Sequence, residues 1–181
     1  MDRPAAYREA VRRRRGFALP GYASLADVGQ DGPWVIPIQQ SSGNLAGPML
    51  ISKDWLDAPT ARRAGPRLAG RGYLPGMVYN RVLDRALALL GLQRGDIYIT
   101  TIFCLLPPRR SHPLAASACR AAFDAVGRFE LMGRRPVALG ADAARTLRQS
   151  GVAAVETLHP SARGIDFDTR ARAIASALEA A

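Results

Sequence analysis

The sequence predicts an α/β fold, a three-layer α/β/α sandwich with a central, mainly parallel four-stranded sheet. Three observations lead there. First, apolar runs of strand length (the run opening at Met49 and stopping at Lys53, then Asp96–Leu106, Arg135–Leu139 and Val152–Leu158) alternate with stretches of helical periodicity. That order buries a parallel sheet between helices. Second, glycines and prolines punctuate the joins, as at Gly91, Gly95, Pro107-Pro108 and Gly140. Third, three strands carry polar groups at or near their ends: Asp54, the Thr100-Thr101 pair, and His159. In such sheets a site forms outside the carboxyl ends of the strands.

Taken in order, Ala5–Arg15 predicts a short helix closed by Gly16, with four consecutive arginines pointing around more than one face. This basic helix or arm of residues 1–20 is either a solvated end or a grip for phosphate. Gly21–Gly47 is mostly loop, with Trp34–Ile38 a short edge strand that tolerates Pro37. After the first central strand, Leu56–Pro75 carries three prolines and several glycines and predicts an irregular loop, of a length usually functional or disordered. Met77, Val78, Val82, Leu83, Ala86, Leu87 and Leu90 have the spacing of an amphipathic helix ended by Gly91. Asp96–Leu106, β-branched and aromatic, reads as a buried strand. Pro113–Leu131 is a helix, Arg135–Leu139 a strand, and Gly140 with Ala141–Gln149 a turn and helix. Val152–Leu158 is the last strand, and Asp166 or Asp168 caps a closing helix that runs to Ala181.

With 181 residues and 48% hydrophobic content the chain suits one domain, residues 1–181, with a substantial core. Its formal charge is +10, carried by arginine with Lys53 the only lysine, which predicts attraction to polyanions: nucleic acid first, an anionic membrane surface second. No apolar segment approaches the roughly 20 residues that span a bilayer, and residues 1–16 are too charged for a signal peptide. The expectation is a cytoplasmic monomer with no membrane partner. Cys104 and Cys119 are then reduced thiols, too few for a closed four-ligand metal site. The motifs of P-loop NTPases, dinucleotide enzymes, zincins and α/β-hydrolases are missing.

Three pieces of sequence, in order and at suitable spacing, resemble the uracil-DNA glycosylase superfamily from about Met49 to Arg163. MLISKDW is similar to its water-activating strand end, with Asp54 where several branches place a catalytic Asp. Gly70–Pro108 resembles the iron-sulfur branch, with Tyr73 at the uracil-stacking aromatic. Arg135–Gly164 is similar to the last strand-helix-strand and its His-Pro-Ser motif. Two departures stand out. Cys104 and Cys119 match only the later pair of cluster cysteines and no earlier cysteine exists, so the cluster is expected to be absent. Thr101 replaces the family's uracil-reading Asn, which either leaves Asn80, Gln39 or backbone groups to supply that contact or makes the enzyme less strict for uracil.

The resemblance implies hydrolysis of the N-glycosidic bond of uracil in DNA by base flipping, leaving an abasic site. Cleavage builds positive charge on the sugar and negative charge on the base. Asp54 faces the first need as water-positioning carboxylate, or merely caps a helix or loop, and His159 the second as donor to the base oxygen, or is a satisfied strand-end histidine. Tyr73 stacks on the flipped base or plugs a local core; Thr101 faces the pocket or simply favours the strand. Ser161 and Arg163 sit where the family presses a loop into the minor groove, Arg163 as the wedge or as an exposed pairing residue. Arg109, Arg110 and His112 contact phosphates or are merely solvated, and Lys53 is a further phosphate candidate. With only Lys53 available as an amine nucleophile, a lyase step is disfavoured. The alternative is a glycosylase-fold DNA-binding module that senses uracil or deformed DNA without catalysis; an unrelated nucleotide-binding domain is weakened by the missing phosphate loop.

Overall fold

Short, fully apolar runs flanked by polar or turn residues become buried parallel strands. The computed structural model describes residues 2–181. It has β1 (Met49–Ser52), β2 (Tyr98–Thr101), β3 (Val137–Leu139) and β4 (Val155–Thr157) in one all-parallel sheet of order β2-β1-β3-β4. The helices are α1 (Arg3–Gly16), α2 (Ala58–Leu68), α3 (Val78–Leu89), α4 (Ala116–Ala122), α5 (Arg128–Glu130), α6 (Ala141–Gln149) and α7 (Phe167–Glu179). A π-helical turn, Phe123–Gly127, joins α4 to α5, so the predicted helix over this stretch is one run with a bulge. Asp166 caps α7, accepting from the Thr169 N–H at 2.9 Å. α3 packs on α7, while α4 meets α6 and α1 meets α5. This gives the expected sandwich.

Strand order reverses between β1 and β3: the connection from β1 leads to β2 on one side, that from β3 to β4 on the other. Such a switch point leaves a crevice at the strands' carboxyl ends. In-register pairs share a face, so Ser52 lies beside Thr101 and Leu50 beside Ile99, with Ile51 beside Thr100 and Met49 beside Tyr98 on the other side. The sheet therefore serves two environments, one through each set of alternate residues.

Two sequence expectations fail here. Trp34–Ile38 forms no strand; it bends into a 3-10 turn at Pro37–Gln40 because Pro37 starts a helical turn and the Val35 N–H donates to the Gln39 side chain rather than to a strand. Leu56–Pro75 is mostly helix, not loop. Asp57 caps α2 by accepting from the Thr60 N–H at 2.9 Å, and Pro59 falls in the first turn, where its missing donor costs nothing. Ala58, Ala61, Ala64 and Leu68 then bury against Leu25, Val28, Leu56 and Leu106 in a small core of their own. A proline inside a helix costs about 3 kcal/mol, yet burial of each leucine contributes roughly 2 kcal/mol, so α2 survives Pro66 near its end. The predicted strands are also trimmed: Ile102–Leu106 is buried but leaves the sheet after Thr101.

Candidate active site

At the carboxyl ends of the strands lies a cavity of about 660 Å³. It gathers Lys53, Asp54, Tyr73, Asn80, Thr101, Arg110, His159 and Ser161, eight of the eleven residues singled out from sequence. Arg109 and Arg163 are exposed outside its wall. His112 also lies outside, its ring edge-on to Tyr22 at 5.9 Å between centroids and its Nδ1 buried, so it packs inward instead of reaching toward phosphate.

Asp54 follows β1. Burial raises its pKa, opposed by the neighbouring Lys53 charge. Lys53 itself lies 3.8 Å from Asp142, so its charge is shared with a second carboxylate. A carboxylate on the wall of a partly apolar cavity is a stronger base than an exposed one and a counter-charge for a developing cation.

His159 follows β4 and reaches the same cavity across the end of β3. Gly140 makes that approach possible. Its φ of +90° suits glycine, and a Cβ there would lie 2.9 Å from His159 Cβ. The Ser161 N–H donates to His159 Nδ1 at 3.0 Å. An accepting Nδ1 makes the ring the Nε2–H tautomer when neutral, and burial with the Lys53 charge lowers its pKa. The ring is thus held neutral with one N–H free to meet an anionic oxygen.

Tyr73 is set by its loop. Gly72, at φ +72°, presses against the Pro37 carbonyl so closely that a Cβ would sit 1.7 Å from its oxygen, and the Trp55 indole N–H donates to the Gly72 carbonyl at 2.9 Å. The Arg94 guanidinium lies 3.7 Å over the Tyr73 ring, backing it on one side. Only one face is left to stack on a ligand.

The base-reading candidates turn out to be occupied. The Thr101 hydroxyl donates to the Phe103 carbonyl at 2.8 Å, leaving acceptor capacity only. Asn80 lines the cavity but its amide donates to the Leu74 carbonyl at 2.9 Å and its oxygen accepts from Arg94 at 3.1 Å, which ties the Tyr73 loop to α3. Gln39 is outside the cavity, donating to Glu130 at 2.8 Å and accepting from Tyr7 and the Val35 N–H.

Sequence reasoning missed Tyr79, Ser52, Trp55 and Arg94. Tyr79 lines the cavity with its ring 5.6 Å from that of His159. Its hydroxyl is buried with no hydrogen bond; Ser52 is its polar neighbour but lacks the bonding geometry. Tyr79 reads in sequence as one more helix residue, and no spacing signal separates it from its neighbours.

The implied cluster does not fit. Cys104 and Cys119 are both buried, their thiols pushed up to about 12 and about 11, chiefly by burial. Cys104 feels the Glu130 charge and Cys119 that of Asp142. Among the described residues no three His, Cys, Asp or Glu side chains converge on one point. No helix among them is long and apolar enough to cross a membrane.

No known protein-family model matches the chain, and no curated protein matches it.

Proposed function

We propose that the chain is a monofunctional DNA glycosylase that hydrolyses the N-glycosidic bond of uracil. The observation that carries this reading is the meeting in one cavity of Asp54 and of His159, whose Nδ1 accepts from the Ser161 N–H and leaves Nε2 to act as donor. Asp54 positions water and faces the positive charge that grows on the sugar; the His159 N–H faces the negative charge that grows on the base. Tyr73, backed by Arg94, stacks on a flipped base, as aromatic side chains do in enzymes that extrude a nucleotide. The cavity volume suits one nucleotide-sized ligand.

Labelled uracil-containing DNA, single- and double-stranded, is incubated with excess protein and then treated with alkali. Strand cleavage at the uracil position is expected in at least one form. Binding without cleavage would replace the enzyme by a non-catalytic uracil-sensing module. Neither binding nor cleavage would remove both.

A further inference from the structure

The longest basic run in the sequence is paired locally, on two carboxylates, and only Arg14 of it is buried. Arg12 and Arg13 bond Glu9, and Arg13 also lies 4.0 Å over the Phe129 ring. Arg14, only 3% exposed, bonds Asp31 and the carbonyls of Gly32 and Trp34, and Arg15 bonds Gly32. The arginines around the cavity mouth behave differently. α2 buries its alanine-leucine stripe and turns Arg63 and Arg67 outward, four residues apart and so on one ridge. Arg71 follows in the next turn, and Arg109 and Arg110 stand on the loop after β2. All five are exposed, and among the described residues none lies in an ion pair. Arg63 and Arg110 also line the cavity, so both groups of charge begin at its edge.

We infer that the outer ridge of α2, with Arg109 and Arg110, holds the sugar-phosphate backbone of a DNA strand while one nucleotide enters the cavity. The inference rests on the reading that the cavity receives a nucleotide. Five guanidinium groups without carboxylates repel one another, and a row of phosphates relieves that repulsion while accepting paired N–H bonds from each. Exposed arginines elsewhere are mixed: Arg128 pairs with Asp124 and Arg85 with Asp168, while Arg8, Arg135 and Arg172 lie in no ion pair among the described residues, so what sets the rim apart is its place at the cavity edge, where Arg63 and Arg110 line the wall. A membrane suits the rim less well, because the apolar face of α2 is already buried in the protein and leaves nothing to insert.

Fluorescence anisotropy with labelled single- and double-stranded oligonucleotides, titrated with NaCl, compares the wild type with R63Q/R67Q/R71Q and R12Q/R13Q. The α2 triple variant should bind at least about tenfold more weakly near 0.1 M salt, with a log–log salt slope shallower by about 2. R12Q/R13Q should superimpose on the wild type. Circular dichroism checks that α2 persists; R109Q/R110Q, outside any helix, repeats the test and should shed about 1.5 units of slope. Wild-type binding by the triple and R109Q/R110Q variants, an equal loss in R12Q/R13Q, no DNA binding at low salt, or tighter binding to phosphatidylserine vesicles than to DNA would each overturn the surface. Excision is read separately. DNA binding through α2 without excision would remove the glycosylase reading and leave this surface standing; excision with unaltered binding in both rim variants would do the reverse.

Discussion

Two polar clusters hang from opposite faces of the same pair of strands, and they differ in what their polar atoms have left to do. On one face Glu130, fully buried, accepts from the Tyr98 hydroxyl at 2.5 Å, the Thr100 hydroxyl at 2.8 Å and the Gln39 amide at 2.8 Å. Gln39 in turn serves Tyr7 and the Val35 N–H, and Arg134 covers the Tyr98 ring at 4.4 Å. Every partner is another protein group, so the cluster ties α1, α5 and β2 together. On the other face Ser52 and Thr101 border a void in which Asp54, His159 and the Tyr79 hydroxyl keep unused capacity. Burial with complete partners holds a fold; burial with incomplete partners beside a cavity is kept at a cost to stability and points to a ligand. Both clusters contain a carboxyl whose pKa is raised by burial, so a shifted carboxyl alone does not separate structure from function.

The contrast is sharpest in Asp54→Asn. Turnover on uracil-containing DNA should fall by about 10³-fold or more, while the melting temperature stays or rises, since a neutral amide removes a buried charge. A variant that lost stability but kept turnover would move Asp54 into the structural class. His159→Gln should lower turnover by about 100-fold, the usual effect of losing one donor to a developing anion. The pH profile belongs with these two variants. The Asp54 pKa is raised, so the acid limb of the rate should lie above the ordinary aspartate range and vanish with Asp54→Asn; the His159 pKa is lowered, so the ring stays neutral above it. An acid limb unchanged in the variant would assign it to another group.

Tyr79→Phe tests the unpartnered hydroxyl. Removing a buried group without a hydrogen bond should leave the melting temperature unchanged or higher, yet weaken substrate binding about tenfold if the hydroxyl meets the base. Equal KM in both proteins would make it a packing residue.

The smallest effect is expected from Glu130→Gln, and in the opposite currency. Glu130 ionises at about 7 in the folded chain, against about 4.3 for an unfolded glutamate. The folded state therefore binds more protons between these values, and wild-type stability should fall as pH rises from about 5 to about 8. Glu130→Gln should flatten that slope, cost about 1–3 kcal/mol at low pH through disturbed hydrogen bonds, and leave turnover alone. Denaturant melts at several pH values measure it; a persistent slope would place the titration elsewhere.

Particular residues show how far the sequence could be read. The alternation of apolar runs and amphipathic stretches names the four strands and most helices, because period and punctuation are local properties of the backbone. Asp54 and His159 were legible for a related reason: a polar residue directly after a buried strand is carried to the crevice whatever surrounds it. α2 was not legible, since Gly65 and Pro66 signal loop, and the Asp57 cap and the harmless place of Pro59 in the first turn needed contact with Leu25, Val28 and Leu106, distant in sequence, to outweigh them. Arginine pairing was not legible either. The run at Arg12–Arg15 is the most basic stretch of sequence, and the fold pairs it with Glu9 and Asp31 and lays Arg13 over Phe129, while Arg63, Arg67, Arg71, Arg109 and Arg110 lie in no ion pair among the described residues.

By itself, then, the sequence determined the α/β sandwich, the strand ends that reach the cavity and the excess of positive charge. Only the tertiary structure decided which polar groups remain free: Thr101, Asn80 and Gln39 are bonded to partners, while Tyr79 is left without one. The physical reason is that a donor or acceptor is satisfied by whatever atom lies within about 3 Å of it, and for most of these side chains that atom belongs to a residue which chain order does not reveal.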